Sequence, residues 1–279
     1  MIKIALLCVT YNSYDCLCNY LDSVEIAYSA TDRNVNLDVF IADNSSCCEN
    51  VNYLERFSFN AQYYKFDNVG YFGAIHQIMI NNDMMDYDYV IISNVDLSIN
   101  QDFFKKLSLH KCENNVGWIA PRIYSMLEQR DRNPQRLRRC SELRLILLQI
   151  LYKFPLLFML YYNTMYKRKK YLVVGSPKDV YAGHGSFIIL TKYYLSKVGI
   201  VNYPVFLFCE EIYLAEMCRI NNLLVRYEPD LAVTDFEHIS VGKIKKKEYY
   251  RLNCNAIKYI RKRFYDCKRL HDDVLRRPN

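Results

Sequence analysis

IKIALLCVT, running from Ile2 to Thr10, carries one charge, Lys3, in an otherwise apolar or uncharged stretch. A run without alternation predicts a strand buried on both faces, as in a parallel sheet. Tyr14 to Ser29 follows at once with apolar residues at helical spacing. Leu37 to Ala42, Tyr63 to Phe66 and Tyr89 to Ser93 read as further strands, with helical stretches between them, the clearest being Gly70 to Met85. Strands alternating with helices imply βαβ units and an α/β fold with a mostly parallel central sheet flanked by helices, whose ligand site lies beyond the carboxyl ends of the strands. Thr10-Tyr11-Asn12, Asp43-Asn44 and Asn94-Val95-Asp96 would then stand along one edge.

From about Arg122 the pattern breaks. Leu143 to Tyr162 is almost wholly apolar and close to the roughly 20 residues of a bilayer span, but Arg144, Lys153 and Pro155 interrupt it. An interfacial or re-entrant helix, or a homodimer contact, fits that interruption better. Ser186 to Leu190, Leu224 to Tyr227 and Leu231 to Phe236 read as later strands, and Glu211 to Asn221 as a helix. In the tail Tyr249, Leu252, Ala256, Tyr259, Ile260 and Phe264 recur at helical steps among Lys and Arg, a basic amphipathic helix.

Charge is unevenly divided. Residues 122–170 and 243–279 each carry +9, which leaves −11 on the rest of a chain whose total is +7. Two basic segments on an acidic body suggest surfaces facing an anionic partner, phospholipid or nucleic acid, although solvated helix faces would look the same. Eleven cysteines at irregular spacing form no C-x-x-C pairs and suggest reduced thiols, not a disulfide framework or a zinc site. Met1 to Thr10 has neither the length nor the flanks of a signal peptide, so a cytoplasmic protein is expected.

Individual residues at the sheet edge admit specific chemistry. Asp43, followed by Asn44, Ser45 and Ser46, can accept the imide N–H of a uracil or thymine base, or merely shape an Asx turn. Asp96, past YVIISN, can hold Mg²⁺ or Mn²⁺ against a diphosphate; Asn94 precedes it. Asn68 and Gly70 precede a helix whose first N–H groups could approach a nucleotide. Glu210 and Glu211 open a helix, where carboxylates favour the dipole, but one of them could also deprotonate a sugar hydroxyl. His238 could add a nitrogen ligand to the same metal, and Gly183-His184-Gly185 reads as a loop beside an acceptor.

Taken in order, VTYNS (9–13), IADNSS (41–46), NVGYFGAIH (68–76), SNVDLSI (93–99), YAGHGSFIIL (181–190), FLFCEEIYLAEMCR (206–219) and HISVG (238–242) resemble glycosyltransferase family 2, a family of GT-A fold, and specifically its rhamnosyltransferase-like bacterial branch. The resemblance covers most of the chain outside the insert. It implies an inverting hexosyl- or rhamnosyltransferase using a UDP- or dTDP-sugar, such as dTDP-rhamnose, and a divalent cation, Mg²⁺ or Mn²⁺. Thr10, Tyr11, Asn12, Asp43, Asn68, Gly70, Asn94 and Asp96 would bind the nucleotide-sugar, with Tyr11 stacked on the base. Asp96 and His238 would hold the metal, and Glu211 would be the catalytic base, replacing the family's Asp. Gly183, His184 and Glu210 would face the acceptor, a glycan or lipid-linked hydroxyl in surface polysaccharide synthesis of the capsule or O-antigen kind. Asn94 stands where the family has the first Asp of its D-x-D motif, which removes one charge.

The expected organisation is a nucleotide-sugar half (1–122), a basic and apolar helical insert (123–172), an acceptor half (173–242) and a basic amphipathic C-terminal tail (243–279), peripheral at the inner face of the cytoplasmic membrane. A Rossmann oxidoreductase would need a glycine fingerprint after the first strand, and VTYNSY has none. The other rival is a catalytically inactive nucleotide- or nucleic-acid-binding protein; the acidic body argues against a nucleic-acid partner.

Overall fold

The structure, a computed structural model, describes residues 1–31, 34–47, 52–166, 175–236 and 245–266. The chain enters on β1 (Ile2–Thr10), crosses by α1 (Tyr14–Ser29) to β2 (Val35–Asp43), and reaches β3 (Asn60–Lys65). Next come α2 (Tyr71–Asn81), β4 (Tyr89–Asn94), β5 (Leu97–Ile99), α3 (Phe103–Leu109) and β6 (Val116–Ser125). β7 (Arg130–Asp131) turns back on β6, and α4 (Glu142–Lys153) and α5 (Pro155–Tyr161) form the insert. β8 (Lys178–Val180), β9 (Phe187–Thr191), α6 (Lys192–Val198), α7 (Glu210–Ile220), β10 (Leu224–Asp235) and α8 (Lys246–Phe264) complete it.

The strands form one sheet in the order β3-β2-β1-β4-β9-β6-β10-β5. The first four pair in parallel, as expected, and so do β6 and β10, whereas β9 runs antiparallel to both β4 and β6. The sheet is therefore mixed beyond β4. Register sets the site: Thr10 is level with Asp43, Asp43 with Lys65, and Val9 with Asn94. All four strands thus end on one line.

Both faces are covered. Leu17, Leu21 and Val24 of α1 join Phe103, Phe104 and Leu107 of α3 in one core, and α2, α6, α7 and α8 build the other. The two strands expected at Leu224 to Tyr227 and Leu231 to Phe236 are one strand, broken in register between Glu228 and Ala232. That bulge lies opposite Pro121 of β6, which has no N–H to give the ladder. β6 itself runs to Ser125, so the boundary expected at 122/123 falls inside a strand.

The tail helix also differs from expectation. Leu252, Ala256, Ile257, Ile260 and Phe264 are buried, and Ile257, Ile260 and Phe264 belong to the same core as Tyr213 and Tyr203. Its apolar stripe is used inside the molecule, leaving its cations for the surface. The insert is not one helix: Phe154 and Pro155 divide it, because proline cannot continue the hydrogen-bond ladder of α4. Among the described residues no helix is long and apolar enough to cross a membrane.

Candidate active site at the carboxyl edge of the sheet

The ends of β1 and β2 are laced together. The Asn12 N–H donates to Ser45 Oγ at 2.7 Å, and the Ser46 N–H donates to Asn12 Oδ1 at 3.1 Å, with Asn12 at a positive φ of 50°. Thr10 is buried with its hydroxyl unpartnered, and Tyr11 is half-buried beside it. Asp43 is fully buried. It accepts from the Ser45 N–H at 2.7 Å, which is the Asx turn, and from the Tyr14 hydroxyl at 2.8 Å and the Tyr63 hydroxyl, while Lys65 Nζ stands 3.7 Å away. Burial works to raise the Asp43 pKa, but hydrogen bonds from Ser45, Tyr63 and Tyr14 outweigh it and hold the carboxyl below its ordinary value. Both carboxylate oxygens are thus already engaged from within the protein.

Opposite, α2 begins at Gly70 with φ of 82°, where a side chain would put Cβ 2.1 Å from the Phe206 carbonyl oxygen. Only glycine permits that approach. The Gly70 N–H faces Asn68 Oδ1 at 3.4 Å, and the Gly70 carbonyl accepts from Asn44 Nδ2 at 3.0 Å, leaving Asn44 Oδ1 buried without a partner. The apposed segment turns sharply: Phe208 and Cys209 have φ of 76° and 64°. Two consecutive non-glycine residues in the left-handed region are strained, so the surroundings must enforce them. Glu210 Oε1 accepts from the Phe208 N–H at 2.8 Å, and the Tyr203 hydroxyl donates to the Phe208 carbonyl at 2.7 Å.

The two glutamates after this turn have different surroundings. Glu210 is buried, and burial followed by the Glu211 charge pushes its pKa up to about 8. Glu211 is half-buried, its Oε2 3.6 Å from where a Gly185 side chain would begin. Gly185 is held by the Tyr71 hydroxyl at 3.2 Å, and Gly183 lies too close to Trp118 and Ala120 to carry a side chain. The His184 Nδ1 accepts from the Ser186 N–H at 3.3 Å and lies 2.9 Å from Ser186 Oγ, so its proton belongs on Nε2. Burial and then the Arg132 and Arg130 charges push its pKa down to about 4, leaving it neutral at pH 7. The Asn94 N–H in turn donates to the Ser186 carbonyl at 2.9 Å.

That bond ties the glycine loop to the turn carrying Asp96. The Phe236 N–H donates to the Asp96 carbonyl at 3.2 Å, and Leu97 pairs with Asp235, so Asp96 sits beside the end of β10. His238 lies outside the described residues. Among the described residues no group of three or more His, Cys, Asp or Glu side chains gathers as a metal site. One carboxylate with an amide neighbour still suits a hard cation that takes its remaining oxygens from a diphosphate and water.

The structure therefore brings Glu211, Gly185, His184, Asn94, Gly70 and Asn68 to one edge, with Thr10, Tyr11 and Asn12 beside them, and withdraws Asp43 and Glu210 into the protein. The sequence reading missed three neighbours. Tyr14 and Lys65 were unremarkable on a helix and a strand end. Arg136 sits behind Glu211 with Nη1 2.8 Å from Cys140 Sγ and Nε buried without a partner. Burial works to lower its pKa, and Cys140, Glu211 and Cys209 prevail in the other direction. Only its position in the insert, far along the chain from Glu211, concealed it.

No protein-family model matches the chain, and no curated protein matches it. Solved structures do. Residues 1–349 of TarS from S. aureus, in complex with UDP-GlcNAc, superpose with a TM-score of 0.56 at 13% identity over 88% of this chain and 62% of that one. The mannosyltransferase PcManGT from Pyrobaculum calidifontis, in complex with GDP-Man and Mn²⁺, gives 0.52 at 12% identity over 85% and 58%. GalNAc-T7 with UDP, GalNAc and Mn²⁺ gives 0.58 at 9% identity over 95% and 57%. This chain thus spans about six-tenths of these structures, and 38% of the longer TarS structure. At such identities the likeness establishes the fold, which is the GT-A α/β fold of nucleotide-sugar glycosyltransferases.

Proposed function

We propose that this chain is an inverting glycosyltransferase of the family-2 kind, moving a sugar from a UDP- or dTDP-sugar to a glycan or lipid-linked hydroxyl at the cytoplasmic face of a membrane. The observation that carries the reading is the strained turn that buries Glu210 and presents Glu211 over the bare backbone of Gly185, on the edge that also bears Asn94 and Asp96. Glu211 takes the proton of the acceptor hydroxyl as that oxygen attacks the anomeric carbon. The bond from that carbon to the diphosphate breaks, and the nucleoside diphosphate leaves. Neutral His184, protonated at Nε2, and the glycine loop position the acceptor. Asn68 and Gly70 approach the donor through backbone groups, Tyr11 stacks on the base, and Thr10 and Asn12 shape that pocket. Asp96 and His238 would hold Mg²⁺ or Mn²⁺, which supplies positive charge to the leaving diphosphate. The complexes of the superposed structures with nucleotides, and of two of them with Mn²⁺, support this reading.

The test is a panel of UDP- and dTDP-sugars assayed for hydrolysis and thermal stabilisation, with and without Mn²⁺. We expect metal-dependent turnover that Asp96→Ala removes with the fold intact. Undiminished metal-dependent turnover in that variant overturns the assignment, and nucleotide binding without turnover on any sugar would favour an inactive nucleotide-binding protein.

A further inference from the structure

Helix α4 is apolar on two sides. Leu145 and Leu151 are buried and Leu148 packs on the core, while Leu143, Leu147 and Ile150 follow at steps of four and three along the other side and stay exposed. A second apolar row, on a helix whose first row is already buried, exposes surface that is stabilised by resting against something equally apolar. The exposed row continues past Phe154 into α5, where none of the seven residues is buried, Leu156 is 79% exposed and Leu160 63%. So many large exposed side chains in one run mark a contact surface.

Cations border this row. Lys153, Lys246, Lys247 and Arg251 line a groove of about 920 Å³ between the insert and α8, together with Tyr152 and Tyr250. The nearby acids are engaged, Glu142 with Arg261 at 3.4 Å and Glu248 with Arg251, and that second pair leaves the positive charge of the groove to Lys153, Lys246 and Lys247. Two occupants are thereby disfavoured. A second copy in a two-fold dimer would lay this cationic rim against itself, since such a pairing uses the same patch on both partners. A transmembrane span would need roughly 20 continuous residues, and the break at Pro155 leaves helices of 12 and 7.

We propose that the α4–α5 surface docks on the headgroup region of an anionic phospholipid bilayer, α5 lying in the interface with its leucines among the acyl chains and Lys153, Lys246 and Lys247 at the phosphates. The tail helix contributes charge alone, because its apolar side is already in the core. The proposal rests on the glycosyltransferase reading only in that a lipid-linked acceptor would be met there. Vesicle binding does not depend on turnover, so either can fail without the other.

The experiment is co-sedimentation of the full chain with vesicles of phosphatidylcholine, alone or mixed with phosphatidylglycerol. The chain should pellet with the mixed vesicles at low salt, pellet little with phosphatidylcholine alone, and be released by salt. The double variant Leu156→Glu/Leu160→Glu, at sites without buried contacts, should bind at least tenfold more weakly with an unchanged melting temperature. Lys246→Glu/Lys247→Glu should also weaken binding about tenfold or more. A chain that stays in the supernatant with mixed vesicles, or binding indifferent to Leu156→Glu/Leu160→Glu, overturns the proposal. So does a dimer in sedimentation velocity that this same variant dissolves, which would give the face to a second copy.

Discussion

Glu210 and Glu211 are separated by about 100° of helix, so they cannot face one acceptor hydroxyl together. Burial selects between them. Glu210 caps the Phe208 N–H from inside, whereas Glu211 stands by open backbone. Glu211→Gln keeps the size but removes the proton acceptor, and turnover should fall by roughly 10²-fold or more with donor binding little changed. Glu210→Gln retains the oxygen that accepts from Phe208, and its loss of turnover should be smaller; the reverse order would exchange their roles. Its clearer effect is on stability. Glu210 keeps its proton to about pH 8 in the folded chain, against an ordinary value of 4.5, so between those values the unfolded state binds fewer protons and stability declines as pH rises. The melting temperature of Glu210→Gln should therefore gain on that of the natural chain between about pH 5 and about pH 8. An unchanged difference would show that Glu210 ionises normally. The sequence showed the carboxylate pair, and the family resemblance cast Glu211 as base and Glu210 toward the acceptor, but the burial of Glu210 depends on Tyr203 and the turn before them. Asp43 is a parallel case: its position at the strand end was legible, but the hydroxyls of Tyr14 and Tyr63 that close over it come from other elements.

At the scale of elements, two segments distant in sequence share one constraint. The N-cap of α2 at Gly70 lies against the Phe206 carbonyl, two residues before the strained turn at Phe208 and Cys209, so the proposed donor side and the proposed base side of the site share one close approach. Gly70→Ala would combine an unfavourable φ with a Cβ overlapping the Phe206 carbonyl, and something must shift. We expect a cost of about 1–3 kcal/mol in chemical denaturation, with turnover reduced more than that loss of folded protein explains. Stability and activity both like those of the natural chain would show that the approach is looser. β1 and β4 were legible as unbroken apolar runs buried on both faces, and α1 by the helical spacing of the apolar residues it buries. β6 was obscured by Gly117, Pro121 and Arg122, and its pairing with β7, β9 and the bulged β10 shows it to be a strand.

For the molecule as a whole, the uneven charge was readable from composition, but the place of each basic segment was not. Both segments carry +9, one around an apolar run and the other along an amphipathic helix. In the structure they divide the work: α4 and α5 keep an apolar row outside, and α8 directs its own inward against α4 and α7. A tail that only touched membrane could be removed without harm to the fold. This one buries Leu252, Ile257, Ile260 and Phe264, each contributing roughly 1.5–3 kcal/mol relative to exposure, and its departure would also uncover the side of α4 that packs on it. The sum is comparable to the whole stability of a domain, about 5–15 kcal/mol. A chain ending at Lys245 should therefore fail to unfold cooperatively in calorimetry and should lose nucleotide binding even though every proposed donor residue remains. If it melted sharply and still bound a nucleoside diphosphate, α8 would be an accessory to the core, and the division at 243 expected from sequence would be a real domain boundary.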